Sequence, residues 1–360
     1  MQRKRFFILI PALFVLFVSA GTLSSQIRAR VDLVVVPVTV RDNNGFLITT
    51  LERDDFMVSE DGKRQSIFNF SVDAQPLSVA IVVDDGISGT ALKRVVTLLP
   101  AITAAFKPDD EMTSFRYDHL VSRLSDFTSD REQIQKSFRE LPQIALTRPD
   151  EPEQPSAIAK LERKTPGWVK ALAGIFTVGS NGAPSSIPTA SAPRPAPPAS
   201  RVMHSAVYDA AMALEKRPEG HRKIIFLISD GVVSEPQISL IPGKTLHSFD
   251  KNVELLIKNE VQVYSVYTLA DLLETSSGML NSYAKATGGD VYGGRSESDM
   301  KFAMSRILEQ ARSQYVLGYI SSNTAPPQGI FRTIEVKSGD PDQKRKVVHR
   351  SGYYQYPIPK

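Results

Sequence analysis

The chain has 360 residues, of which 42% are hydrophobic and 23% are charged. This is enough apolar material for one large core or two moderate ones, which excludes a wholly disordered protein. Lys and Arg outnumber Asp and Glu by 43 to 39, and loss of an N-terminal segment holding Arg3, Lys4 and Arg5 leaves 40 against 39. With so little net charge and no basic cluster, no nucleic-acid partner is expected. The absence of Cys excludes disulfides, thiolate metal sites and cysteine nucleophiles.

The N-terminus has the pattern of an export signal. Three basic residues precede a continuous apolar run over residues 6–18, and small residues follow it. This order predicts a signal peptide within residues 1–25, and therefore a protein exported to the periplasm, the cell envelope or the medium. The alternative is an uncleaved anchor, because weakly apolar residues continue to Leu23 and approach the length that spans a bilayer. Such an anchor is the only membrane contact that we expect.

Short strands are predicted near both ends of the mature chain. Residues 33–40 are rich in Val, and Pro37 indicates an edge strand or a bulge there. Asn-Asn-Gly and Glu-Asp-Gly sequences predict two hairpin turns further on. Four strands in this region are too few to cover both faces of a sandwich, but strand patterns return after the last predicted helix. We therefore predict one β-sandwich formed by residues 28–75 together with residues 313–360.

Strands and helices alternate in the middle of the chain. Residues 77–83 are a continuous apolar run that ends at two Asp residues, as expected for a strand buried on both faces of a parallel sheet. Residues 223–229 repeat this pattern before Asp230. We predict an α/β domain with a doubly wound, mostly parallel sheet over residues 76–312, inserted into the sandwich. Residues 147–200 are rich in Pro, Ala and Ser and are expected to form a disordered insertion.

Three polar segments are predicted to meet beyond the carboxyl ends of the strands, where doubly wound sheets bind ligands. They are the loop that begins at Asp84, the helix start near Ser205, and the loop at Asp230. These residues resemble the metal-ion-dependent adhesion site of the von Willebrand factor type A domain. The sequences "VTVRDNNG", "DFMVSEDGKRQSI" and "YAKATGGDVY" are similar to those of exported von Willebrand A-related proteins of acidobacteria. The resemblance covers nearly the whole chain except the insertion, and it implies a von Willebrand A-like fold.

The resemblance also implies a cation site and a binding function. Asp84 and Ser88 match the family's first loop, Ser205 stands where the family has Thr, and Asp230 matches the third loop. These residues would hold Mg²⁺, and an acidic side chain of a protein partner would complete its shell. Gly86 departs from the pattern, because the family has a ligating Ser there. The expected function is adhesion or protein–protein contact, without catalysis, through this degenerate site.

Two alternatives stay open at this point. In the first, no metal binds: the two Asp residues end strands, and Ser88 and Ser205 cap helices. In the second, the chain is an envelope serine hydrolase. The segment around Ser88 resembles a nucleophile elbow, and His221 or His247 would be the base.

Overall fold

The computed structural model describes residues 33–72, 74–147, 202–231, 233, 247–268, 278–293, 296–339 and 345–357. The predicted signal peptide and nearly all of the predicted insertion at residues 147–200 lie outside the described residues. Among the helices that are described, none is both long and apolar enough to cross a membrane. From Asp32 onward the chain forms one compact unit.

Two four-stranded antiparallel sheets form a sandwich from both ends of this unit. With strands numbered in chain order, the first sheet contains β1 (Leu33–Arg41), β4 (Ile67–Ser71), β11 (Tyr315–Ile320) and β13 (Lys346–His349), in the order β13-β1-β11-β4. The second contains β2 (Phe56–Glu60), β3 (Lys63–Gln65), β12 (Ile330–Ser338) and β14 (Gly352–Gln355), in the order β14-β12-β2-β3. Side chains from both chain ends share the core between them: Val34, Val36, Val38, Val40, Val58, Tyr315, Leu317, Tyr319, Ile334 and Val336.

Strand β1 is at the edge of its sheet over its first half only. It lies between β13 and β11, but β13 covers just its second half. Pro37 pairs with Val316 of β11, whereas pairing with β13 begins only at Val38. Pro37, which has no backbone N–H to donate, therefore lies just before the point where β1 gains β13 as its second neighbour.

The middle of the chain forms a six-stranded sheet covered by helices on both faces. Its strands are β5 (Leu77–Asp84), β6 (Glu111–Tyr117), β7 (Val121–Thr128), β8 (Arg222–Ser229), β9 (Val261–Tyr267) and β10 (Val291–Gly293). Their order is β10-β9-β8-β5-β6-β7, and only β7 runs antiparallel to its neighbour. One face is covered by α1 (Gly89–Ala104), α2 (Arg131–Ser137), α3 (Leu141–Thr147) and α7 (Glu297–Arg312). The other is covered by α4 (Met203–Glu215), α5 (Phe249–Lys258) and α6 (Gly278–Thr287).

The predicted architecture is confirmed: a doubly wound α/β domain is inserted into a sandwich formed by both chain ends. The loop between α6 and β10 joins the two parts. Its Asp290 forms an ion pair with Arg41 of β1. A Cβ at Gly289 would lie 2.0 Å from a carbonyl oxygen of β9, and one at Gly288 would lie 2.7 Å from the backbone nitrogen of Arg350. Two Gly residues are therefore needed where the loop passes between the sheet and the sandwich.

Candidate functional site

Asp84 and Asp230 lie side by side at the carboxyl edge of the six-stranded sheet, by which we mean the side where its parallel strands end. Asp84 is the last residue of β5, and Asp230 directly follows β8. The two strands are parallel neighbours, with Val83 opposite Ile228. Both carboxylates are buried, with 0% and 5% of each residue exposed. Asp84 and Asp230 are therefore neighbours at the end of the sheet where the sequence predicted them.

Hydrogen bonds hold the Asp84 carboxylate in one orientation. Its Oδ1 accepts from the backbone N–H of Gly86 at 3.0 Å, and its Oδ2 accepts from the Ser229 hydroxyl at 2.8 Å. The Tyr117 hydroxyl lies 3.3 Å from the same Oδ2 and 3.0 Å from the Ser229 Oγ. Burial raises the pKa of Tyr117 well above its usual value, and the charge of Asp84 raises it further. Tyr117 is thus a neutral hydrogen-bond donor to the site.

Ser88 approaches this edge from the start of α1. It is the N-cap of the helix, and its Oγ accepts from the backbone N–H of Ala91 at 3.2 Å. A hydroxyl oxygen has two lone pairs, so capping uses one of them. Between Asp84 and Ser88 the chain turns through Gly86, which has no side-chain oxygen and whose backbone N–H donates to Asp84. Ser88 is thus both a cap and a residue of the candidate site.

Ser205 lies in the first turn of α4 rather than just before the helix. The helix begins at Met203, two residues earlier than the sequence pattern suggested. The backbone N–H of Val202 donates to the carbonyl of Asp118 at 3.0 Å, which ties the start of α4 to the end of β6. Because β6 is the neighbour of β5, Ser205 belongs to the same edge of the sheet as Asp84.

Asp85 makes a different set of contacts from Asp84. Its Oδ2 pairs with the Arg116 guanidinium at 2.7 Å, and Arg116 also lies 3.4 Å from Glu140. The other oxygen of Asp85 is buried and has no hydrogen-bond partner among the described residues. The second Asp of the pair is therefore engaged by an arginine of β6.

Three residues that orient or pair the carboxylates here were not predicted from the sequence: Tyr117, Ser229 and Arg116. Ser229 directly precedes Asp230, and Tyr117 ends β6, so their positions at strand ends were the signal available. The residue types alone carried no such signal, because Ser and Tyr are common in strands.

The donor set is compatible with a hard divalent cation. Two carboxylates, Asp84 and Asp230, and two hydroxyls, Ser88 and Ser205, supply only oxygen ligands, which Mg²⁺ prefers. Across the described part of the chain, no group of three or more His, Asp or Glu side chains could hold a metal ion by itself. The predicted ligand set at this end of the sheet therefore needs the two hydroxyls in addition to the two carboxylates.

The structure contradicts a catalytic pairing of Ser88 with His221. The Nδ1 of His221 lies 3.1 Å from the Oγ of Ser78, at the amino end of β5, whereas Ser88 follows the carboxyl end of the same strand. A strand of this length separates the two ends by about 20 Å. His247, the other candidate base, stacks its ring on that of Tyr208, with the ring centroids 3.7 Å apart.

No protein-family model and no curated protein matches the chain. Solved structures are similar to it. An aerotolerance-related membrane protein from Bacteroides fragilis has 13% identity and a TM-score of 0.36, over 65% of this chain and 99% of that chain. BatB from Bacteroides thetaiotaomicron has 15% identity and a TM-score of 0.35, over 66% and 100%. Manganese-loaded TRAP protein from Plasmodium vivax has 11% identity and a TM-score of 0.38, over 85% and 100%. At these low scores, function has to be argued from this chain's own residues.

Proposed function

We propose that this protein is an exported, non-enzymatic binding protein of the von Willebrand A-related type that the sequence resembles in acidobacteria. It contacts a protein partner through the carboxyl edge of its six-stranded sheet, in an adhesive role at the cell envelope. The observation that carries the proposal is the hydrogen bond from Ser229 to Asp84, which joins the tips of β5 and β8. It orients the buried Asp84 carboxylate, while the buried Asp230 directly follows the neighbouring β8 and Ser88 begins the helix that follows β5.

A divalent cation, Mg²⁺, belongs to this proposal, with Asp84, Ser88, Ser205 and Asp230 as its ligands. When bound, it would supply positive charge that attracts an acidic side chain of the partner. Ser229 and Tyr117 orient the Asp84 carboxylate for this role. Because Gly86 adds no side-chain ligand, binding by the chain alone is expected to be weak, and the partner's carboxylate strengthens it.

Calorimetric titration with Mg²⁺ and Mn²⁺ tests the cation site. Gly86→Ser should bind either ion more tightly than the parent, because it adds a hydroxyl where the family has one. Asp84→Asn should lose the binding, because it removes a charge while keeping the size of the side chain. Asp54→Asn, at a carboxylate that is 85% exposed elsewhere, is the matched control and should bind like the parent. Equal heats for the parent and Asp84→Asn would refute the ligand assignment.

Export is proposed from the basic and apolar pattern of residues 1–25. N-terminal sequencing of the protein from an envelope fraction should give a mature chain that begins near Gly21. An intact Met1 in the membrane would identify the anchored form. Finding intact Met1 in soluble cytoplasm would contradict export.

A further inference from the structure

A polar cleft of about 510 Å³ lies at the amino end of the six-stranded sheet, the edge opposite to Asp84. One wall is apolar and comes from the outer face of the first sandwich sheet, with Val35, Pro37 and Val316. The other wall is polar and comes from the segment before β8 and from the end of α5. A cleft of this size lies in the range of small-molecule sites.

The floor of the cleft is a fixed polar network. Arg222 donates to the side-chain oxygen of Gln314 at 2.5 Å, and the Gln314 amide donates to the Tyr264 hydroxyl at 3.0 Å. All three residues are buried. Since these groups are held by each other, the floor is already formed before any ligand arrives.

His221 is oriented by the residues behind it. The Ser78 hydroxyl donates its one proton to Glu111 at 2.6 Å, so its oxygen accepts from the Nδ1 of His221 at 3.1 Å. Arg217 binds both oxygens of Glu111, at 2.7 and 2.5 Å. Burial raises the pKa of Glu111, but the hydrogen bonds from Arg217 and Ser78 outweigh it and keep this carboxylate ionised. With Nδ1 engaged, Nε2 is the ring nitrogen left for the cleft that His221 lines.

Charges of both signs line the same cleft without being used by the fold. Lys258 and Glu219 make no ion pair or hydrogen bond through their side chains in the part of the chain that is described. The side-chain nitrogen of Asn259 is buried, and no described residue accepts a hydrogen bond from it. Two further basic residues of the lining are engaged, because Arg222 donates to Gln314 and Lys223 donates to the carbonyl of Glu215, while the exposed Glu260 adds a second carboxylate. The cleft therefore presents Lys258, the carboxylates of Glu219 and Glu260, and an unused amide donor around a fixed floor.

We propose that this cleft binds a small zwitterionic solute of short-peptide size, with its carboxylate toward Lys258 and Asn259 and its ammonium group toward Glu219. A simple anion would face the uncompensated charge of Glu219, and a simple cation would face Lys258, so each is disfavoured. The apolar wall packs against aliphatic side chains, and the Nε2 of His221 bonds to a peptide amide. This site is independent of the carboxyl edge proposed for the protein partner.

Calorimetry with trialanine at neutral pH tests the proposal. The parent should bind it, and Lys258→Gln and Glu219→Gln should each weaken binding about tenfold, because each removes one of the two charge pairs. Both positions are exposed, so the fold is expected to persist. Lys107→Gln and Glu132→Gln make the same changes at exposed positions outside the cleft and should bind like the parent. Absence of heat from the parent, or equal binding by all four variants, would overturn the proposal.

Two further titrations identify the ligand class. N-acetyl-trialanine amide has neither terminal charge and should not bind. Inorganic phosphate should not match trialanine, and if it binds the parent as tightly, the cleft is a general anion site and the proposal is wrong. Asp84→Asn should leave trialanine binding unchanged, which separates this result from the fate of the cation site.

Discussion

Among single residues, Glu60 connects the two sheets of the sandwich. It is the last residue of β2 and is fully buried. Burial of Tyr319 and the charge of Glu60 raise the pKa of the Tyr319 hydroxyl, so this hydroxyl stays protonated and can donate to Glu60. Four side chains donate to the Glu60 carboxylate: Tyr319 at 2.8 Å, Tyr353 at 3.1 Å, Ser321 at 2.7 Å and Asn323 at 2.7 Å. One carboxylate thus satisfies polar groups from β11, β14 and the loop after β11.

Glu60→Ala should lower the free energy of unfolding by about 3 kcal/mol, because four donors lose their acceptor inside the sandwich. Urea denaturation of parent and variant measures the difference. Glu335→Ala, an exposed Glu on the neighbouring β12, is the control and should change stability by less than about 0.5 kcal/mol. Similar losses in the two variants would contradict the role of Glu60.

His349 is a second residue whose side chain links the two sheets. Its Nδ1 donates to the carbonyl of Arg350 at 2.7 Å, and its Nε2 accepts from the backbone N–H of Val336 in β12 at 3.2 Å. Burial lowers the pKa of His349 below the ordinary value of 6.5. The hydrogen bond to the backbone carbonyl of Arg350 and the charge of Glu335 act in the opposite direction but are weaker. A protonated Nε2 would face another donor, so the neutral ring is the form that the fold accepts.

Stability should therefore fall as the pH drops below about 6.5. The unfolded chain takes up a proton at its ordinary pKa and the folded chain only at a lower one, so the His349 contribution is complete above 6.5 and is lost as the pH falls through the folded pKa. His349→Gln keeps a donor and an acceptor, and its melting temperature should fall less between neutral pH and about pH 5. His119→Gln, at a half-exposed ring, should follow the parent. A parent with no loss of stability over this interval would refute the argument.

The sequence allowed Asp84 and Asp230 to be placed, because each follows an apolar run typical of a doubly buried strand. Glu60 was not identifiable in this way. It precedes a turn at Asp61 and Gly62, where an exposed residue is expected, and its donors lie more than 250 positions further along the chain. Such a site depends on pairing between distant strands, which local patterns do not report.

At the level of elements, the pairing of distant strands closes the sandwich. β1 pairs with β11, and β2 pairs with β12, with Val58 opposite Val336. The need for partner strands could be predicted by counting, because four N-terminal strands cannot cover two sheets. The order of the strands could not be predicted, since Pro37 indicated an edge but nothing indicated that β1 gains β13 as a second neighbour from Val38 onward. Strand order depends on which faces meet in three dimensions.

Deleting residues 331–360 should abolish cooperative unfolding of the sandwich. The deletion removes nearly all of β12 together with β13 and β14, so Val58 loses its paired strand and the Val residues of β1 lose most of the cover of the opposite sheet. Limited proteolysis should then cut within residues 33–71 much faster than in the parent. Deleting residues 357–360 alone, beyond β14, is the control and should leave the protection intact. A truncated chain with full cooperative stability would show that the two ends do not share a core.

For the whole molecule, the insertion of the α/β domain leaves the six-stranded sheet with two ends for which we propose separate binding functions. The carboxyl edge carries Asp84 and Asp230, and the amino edge forms a cleft against the sandwich. The first could be predicted, because ligands of doubly wound sheets bind at the carboxyl ends of strands. The second could not, because its walls come from two parts of the chain whose contact no local pattern encodes.

Thermal unfolding of the parent and of Asp230→Asn at increasing Mg²⁺ concentration tests the proposed cation site most directly. A cation that binds only the folded chain must raise the unfolding midpoint as its concentration rises. We expect a steady rise for the parent and none for Asp230→Asn, with Asp54→Asn behaving like the parent. If the parent's midpoint does not change with Mg²⁺, or if Asp230→Asn rises equally, the carboxyl edge is not a cation site and the proposed mode of partner binding is wrong.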